Sequence, residues 1–175
     1  ILGNVIHDED KRESKHGTIE GLGLLDIESS FSREGKIVTQ STATIPEDIE
    51  GLAGEIFKDI TGEEVSGYEI HEGTTELISS SSLLNIKKGQ GNNDDGKIDG
   101  ASSGNAFATY FHGIFHNYNV RREFLNYIRV KKGLEAKYGE DPYETQKDYS
   151  LNRLAEIVEE NLDMDIIDRL LFEKE

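Results

Sequence analysis

The sequence predicts an α/β fold, and three patterns carry the prediction. Phe107, Thr109 and Phe111 alternate with Ala108 and Tyr110, the pattern of a short strand buried on both sides, and that strand closes on His112-Gly113. The β-branched content of residues 36–43 and the run at 65–71 supply further strands. Val120, Phe124 and Ile128, and later Leu151, Leu154, Ala155, Val158 and Leu162, recur at helical spacing. In open α/β sheets the rim at the strand ends is where chemistry is placed, which singles out His112, with Gly113 behind it to let the backbone turn. The competing reading is a His that caps a strand and bonds a nearby carbonyl, and one His alone does not choose between the two.

Taken in order, Ile1-Leu2-Gly3-Asn4 reads as the end of a helix closed by Gly, and the charged run Asp8 to Gly17 as a surface loop. Thr18-Ile19-Glu20 leads into Gly21-Leu22-Gly23-Leu24-Leu25-Asp26-Ile27, a turn running into a short strand. Its glycines are no dinucleotide fingerprint, since no third Gly and no helix follow at the required spacing. Phe31 to Gly35 reads as a charged turn and Lys36 to Ala43 as a strand. Ile49, Leu52, Ile56 and Ile60 have helical spacing within Pro46 to Ile60, weakened by Gly51 and Gly54, with an inserted loop as the alternative.

Val65 to His71 reads as a strand, and Glu69 and His71, two apart, share one of its faces, either as a polar site or as a solvated surface. Leu77 to Asp99 is polar and rich in Gly and Asn. With Gly96 at the turn position of a calcium loop, Gly91 and Ser102 would stand where carboxylates are needed, so a flexible hairpin loop is expected instead. Asn117 or Asn119 is placed to cap a helix carrying Val120, Phe124, Ile128 and Leu134, with Arg121, Arg122, Lys131 and Lys132 as solvated charge. Gly139 to Lys147 reads as a linker and the final helix as starting near Ser150. Met164, Ile167, Leu170 and Leu171 continue it as a second short helix, and such stripes are read as core packing.

The 175 residues suffice for one domain with a real core. Residues 1–138 are assigned to it, with 139–175 as linker and C-terminal helices packing on the same domain. A formal charge of −16 argues against a nucleic-acid surface, which needs clustered Lys and Arg. No apolar run approaches the ~20 residues of a membrane span, and no signal peptide is read. The first residue is Ile rather than Met, so a longer parent protein is expected. With no Cys there is no disulfide, thiolate metal site or Cys nucleophile within these residues, and no metal site is predicted.

Gly67-Tyr68-Glu69-Ile70-His71, followed by Gly73 and Thr75, resembles the Gly-Tyr-Glu-Ile-His-x-Gly motif of the glutamine amidotransferase domain of cobyric acid synthases. Asp99-Gly100-Ala101, then Thr109-Tyr110-Phe111-His112-Gly113-Ile114-Phe115 and Arg122, resembles that family's second signature. Gly21-Leu22-Gly23-Leu24-Leu25, Thr39-Gln40 and Leu154-Ala155 fall in the family's order, so the resemblance spans nearly the whole chain.

The resemblance implies a flavodoxin-like class I glutaminase fold, of which this would be the C-terminal portion with a helical tail. A Cys thiolate on a strand-to-helix elbow attacks the side-chain amide of glutamine, and a His assists proton transfer. His112 matches the catalytic His, which would hold the Cys ionised and then protonate the leaving ammonia. Tyr68, Glu69 and His71, at the other motif, would lie near the glutamine pocket as substrate-binding residues. The implied partners are glutamine, an ATP-dependent synthetase domain of the same protein and, through that domain, a corrin precursor. ATP and Mg belong to the synthetase domain, this domain needs no cofactor, and the location implied is cytoplasmic, with no membrane or nucleic acid involved.

The sequence departs from the family in three places. The family's Cys-Gly-Gly-aromatic-Gln elbow runs directly into residues like Ile1-Leu2-Gly3, so the chain is expected to begin just after its nucleophile and to be inactive alone. Ile114 stands where class I glutaminases place a His-orienting Glu, as is usual in cobyric acid synthases, leaving the orienting group unnamed. Ala108 and Glu72 replace a usual Gly and Met. Two relatives compete: the amidotransferase subunit acting on cell-wall lipid II, which normally carries Asn where this chain has Ile70, and the a,c-diamide synthase of the same pathway, which carries Phe there. A reading from another class is a non-catalytic α/β binding module that kept the glutaminase fold and lost the thiol.

Overall fold

The computed structural model describes residues 1–31 and 35–172, so positions 32–34 of the expected charged turn lie outside the described residues. Two compact units divide the chain, Ile1–Lys137 and Tyr138–Glu175. The first contains β1 (Val5–His7), β2 (Thr18–Glu20), β3 (Ile27–Ser30), β4 (Lys36–Thr44), α1 (Gly51–Phe57), β5 (Glu64–Glu72), β6 (Thr74–Leu77), β7 (Leu84–Lys88), β8 (Ile98–Asp99), β9 (Ala101–Ser103), β10 (Ala106–Ala108), β11 (Phe111–His112) and α2 (Tyr118–Lys131). The second contains α3 (Pro142–Asn161) and α4 (Met164–Phe172). Two runs of strands, β1–β4 and β5–β11, are separated by α1 and followed by α2, and the chain is of the α/β class with a helical C-terminal tail.

A five-stranded antiparallel sheet has the order β11-β5-β4-β7-β8, and a four-stranded sheet the order β2-β1-β3-β6. In the second sheet β1 and β3 pair in parallel, while β9 and β10 form a separate antiparallel ribbon. β4 and β5 are the long strands, paired from Lys36 opposite Glu72 to Thr44 opposite Glu64. The main core gathers Ala43 and Ile45, Ala53, Ile56 and Phe57 of α1, Val65, Leu84, Phe111 and Val120. A smaller cluster of Leu25, Ile27 and Ala101 lies against Leu2 and Ala108.

Several elements differ from the sequence reading, each for a local reason. Ile1 to Asn4 is not a helix end: its carbonyls accept bonds from the amides of residues 21–25, so the segment lies beside them and bends at Gly3-Asn4. The expected doubly buried strand at 107–111 is broken, because β10 pairs with β9 and β11 pairs with β5, and Thr109-Tyr110 turns the chain from one to the other. The stretch 77–99 is not one loop, since Leu84–Lys88 pairs with both β4 and β8 and only residues 89–97 form the hairpin connection. The helical segment before β5 is shorter than its apolar spacing, starting at Gly51 and tightening into a 3-10 turn at Lys58–Ile60. In the second unit the helix begins at Pro142, inside the expected linker: Asp141 accepts the Tyr143 amide as N-cap, and Pro at the first position suits a helix start. Among the described residues no helix is long and apolar enough to cross a membrane.

The loop 8–17 follows the sequence reading in position but not in character. Asp8 is buried, and its carboxylate accepts the amides of Arg12 (2.7 Å), Glu13 (3.1 Å) and Ser14 (2.8 Å). Arg12 then pairs with Glu72 at the end of β5 at 2.8 Å. Desolvation pushes the Asp8 carboxyl up, but the amides of Arg12, Ser14 and Glu13 together outweigh it and hold the group below its ordinary value of 3.8. Its folded value is therefore depressed, so its contribution is present above the unfolded value and lost as pH falls through the folded one. Asp8→Ala is expected to speed hydrogen exchange at the amides of 12, 13 and 14, an effect that vanishes once acid protonates the wild-type carboxyl. Unchanged exchange at neutral pH would show that the loop does not depend on this anchor.

Candidate functional site

β5 presents its residues alternately to the two faces of the five-stranded sheet. Val65, Glu69 and His71 are buried, whereas Ser66 and Tyr68 are exposed. In the antiparallel register β11 places Phe111 opposite Glu69 and His112 opposite Tyr68. Directly opposite residues share a face, so Phe111 is buried and His112 is exposed beside Tyr68, which is 51% exposed. On the other side of Tyr68, β4 places the exposed Gln40 opposite it. His112, Tyr68 and Gln40 thus form one row across three strands. His112 sits at the end of a two-residue strand on the sheet edge rather than at the end of a core strand.

Of the four residues predicted for the site, the structure brings His112 and Tyr68 together and puts Glu69 and His71 on the opposite, buried face. Glu69 has no exposed surface, and its Oε2 accepts the amides of Gln90 (2.9 Å) and Gly91 (3.0 Å). Charge-assisted bonds of this kind are the stronger sort, and they fasten the 89–97 hairpin to β5. Residue 89 can only be Gly here: a Cβ would fall 2.2 Å from Glu69 Oε1 and 2.5 Å from Ser41 Oγ. His71 donates from Nδ1 to the Gly73 carbonyl at 3.3 Å, leaves Nε2 3.9 Å from Glu69 Oε2, and lies tilted against the Tyr110 ring with centroids 5.7 Å apart. Glu69 thus acts on the hairpin and His71 on Tyr110, from beneath.

The chain on either side of His112 is fixed at almost every residue. Asp99, buried at the end of β8, accepts at Oδ1 the Thr109 hydroxyl and the Tyr110 amide, the latter at 3.1 Å. The Thr109 hydroxyl oxygen in turn accepts the Phe111 amide at 2.9 Å. The Tyr110 hydroxyl meets Thr75 Oγ1 (3.1 Å) and Ser29 Oγ (3.4 Å) of the four-stranded sheet, at the edge of a cavity of about 310 Å³ lined also by Leu2 and Leu25. Full burial of the Phe111 ring contributes roughly 2–3 kcal/mol. Past His112, Gly113 takes a left-handed conformation (φ 81°) that turns the chain into a 3-10 turn. Asn117 does not cap α2 with its side chain; it accepts the Ser66 amide and donates to the Ser66 carbonyl, both at 2.9 Å, continuing the β11–β5 pairing.

Burial pushes the Asp99 carboxyl above the ordinary range, against the pull of the Thr109 hydroxyl and the Tyr110 amide; the nearby Glu69 adds to the rise and His71 opposes it. In the sequence Asp99 and Thr109 carry no assigned role; the signal is their position in one motif, ten residues apart. A second cavity, of about 490 Å³, lies on the four-stranded sheet among His7, Glu28, Glu76 and Asp94, and none of the four predicted residues lines it.

Residues 1–120 match the family of CobB/CobQ-like glutamine amidotransferase domains. The chain is 46% identical over 172 residues to a probable cobyric acid synthase of Methanothermobacter thermautotrophicus, covering 98% of this chain and 33% of that protein. It is 44% identical over 172 residues to a probable cobyric acid synthase of Methanosphaera stadtmanae, with the same shares covered. Over 175 residues it is 41% identical to a cobyric acid synthase of Dehalococcoides mccartyi strain CBDB1, covering 99% of this chain and 33% of that protein. The chain therefore spans about a third of the length of the curated relatives it matches.

Proposed function

Because this chain belongs to the family of CobB/CobQ-like glutamine amidotransferase domains, we propose that it forms the glutaminase part of a cobyric acid synthase. Its product is ammonia, delivered to an ATP-dependent synthetase domain that amidates corrin carboxylates in cobalamin biosynthesis. The single observation that carries the reading is the presentation of His112, an exposed imidazole on a segment pinned at Thr109, Tyr110 and Phe111, turned away by Gly113 and flanked by Tyr68.

In this mechanism a thiolate attacks the side-chain carbonyl carbon of glutamine. His112, as imidazolium, gives its proton to the departing nitrogen as the C–N bond breaks, releasing ammonia and leaving a thioester. The neutral ring then takes a proton from the water that hydrolyses the thioester to glutamate. The thiol comes from outside these residues, which contain no Cys, so the 175-residue chain is inactive alone. Tyr68, with Gln40 beyond it, flanks the substrate on the face of His112, and Glu69 and His71 support that face from below. ATP and Mg act in the synthetase domain.

The test is glutamine hydrolysis by the full-length protein that carries this chain, with and without a thiol-directed glutamine analogue. Hydrolysis that the analogue blocks, with ammonia-dependent amidation surviving, is the expected result. No hydrolysis, even with the synthetase domain and ATP present, would overturn the reading and leave the non-catalytic module.

A further inference from the structure

We propose that Asp99 and Thr109 are positioning residues that set the geometry of His112; this rests on the glutaminase reading above. The connection is a relay of three hydrogen-bonded groups. The Asp99 carboxylate, held on β8, accepts the Thr109 hydroxyl and the Tyr110 amide; the Thr109 oxygen accepts the amide of Phe111, the residue joined to His112. A hydroxyl that donates one way and accepts the other fixes both its rotamer and the turn it spans. That turn is the point where the chain leaves the β9–β10 ribbon and enters the edge of the five-stranded sheet. Its angle therefore decides where the two-residue strand β11 meets β5, and with it where the imidazole points.

The relay answers a question the sequence leaves open. The position two after His112 is Ile114, so no carboxylate stands there to orient the ring. Here a carboxylate acts from the other side of the chain, through the backbone rather than through the imidazole nitrogen. Asp99 is suited to this because it is buried and one of its oxygens, Oδ1, takes both bonds, while Oδ2 has no hydrogen-bond partner among the described residues. Asn at position 99 keeps the accepting oxygen and loses no other bond; Ala loses both bonds. Val at position 109 keeps the shape and removes the relay; Ser keeps the relay.

The experiment compares Thr109→Val, Thr109→Ser, Asp99→Ala and Asp99→Asn in the full-length protein, assayed with glutamine and with ammonia. A misplaced catalytic group slows chemistry without weakening substrate binding, so Thr109→Val and Asp99→Ala are expected to lower the glutamine-dependent kcat about 10- to 100-fold. The KM for glutamine and the ammonia-dependent rate should stay within about threefold. Thr109→Ser and Asp99→Asn are expected to restore most of the loss. Wild-type kcat in Thr109→Val, no difference between Val and Ser, or a parallel fall in both activities would overturn the proposal. If the wild-type protein hydrolyses no glutamine, the glutaminase reading itself falls and this proposal falls with it.

Discussion

Replacing His112 by Ala in the full-length protein is expected to lower glutamine-dependent amidation by about 10²- to 10⁴-fold, the range for loss of a general acid–base group. Ammonia-dependent amidation should continue at nearly the wild-type rate, because added ammonia bypasses the protonation of the leaving nitrogen proposed for His112. The folding consequence is small by comparison. His112 is exposed, and its neighbours, not its ring, hold β11 in place: Phe111 by burial, Thr109 through Asp99, and Asn117 through Ser66. The assay pair therefore separates chemistry from structure. Equal loss of both activities would remove His112 from the role assigned to it.

The second large effect is structural and reaches the same residue. Gly67 lies in the middle of β5, where a Cβ would fall 2.6 Å from the His112 carbonyl oxygen and 2.6 Å from Phe111 Cδ1. Neither can retreat: the carbonyl belongs to the backbone of β11, and the Phe111 ring is buried in the main core. Gly→Ala in a strand ordinarily removes a weak point; here it overpacks the seam between β5 and β11. Gly67→Ala is expected to destabilise by about 1–3 kcal/mol. For a protein of this size that is a fall in Tm of roughly 2–12 °C. The amides of Phe111 and His112 should exchange faster, and glutamine-dependent activity should fall with them. An unchanged Tm together with unchanged exchange at those two amides would show that the seam yields without penalty.

Much of this was legible in the sequence where a strand or helix follows its own alternation. Residues 65–71 read correctly as β5, with Glu69 and His71 on one face, and β4 shows itself in Ile37, Val38, Thr39 and Thr42; that the shared face is buried is seen only in the structure. The reading missed β7, Leu84–Lys88, because Gly, Asn and Ser on both sides dilute a five-residue signal. In sequence β10 and β11 read as one strand because Phe107, Thr109 and Phe111 keep period two straight across the turn; only long-range contacts, the pairings with β9 and β5 and the bond to Asp99, show that the chain bends there. The family motif groups Glu69 and His71 with Tyr68, whereas strand alternation puts them on opposite faces of the sheet. The burial of Asp8 inside a charged loop was invisible for the same reason, since its partners are backbone amides that no composition records.

The alternation of β5 also bears on how such a protein can diverge. Gly67, Glu69 and His71 answer to the interior, and a change at any of them disturbs the seam, the hairpin or Tyr110. Tyr68 and Ile70 share the outer face and answer to whatever lies over it. One short motif thus carries two separate structural instructions, written on alternate letters. Side chains at positions 68 and 70 can therefore change the outer surface of the sheet while the letters between them keep the seam and the hairpin fixed, so the surface is free to vary without compensating change in the fold.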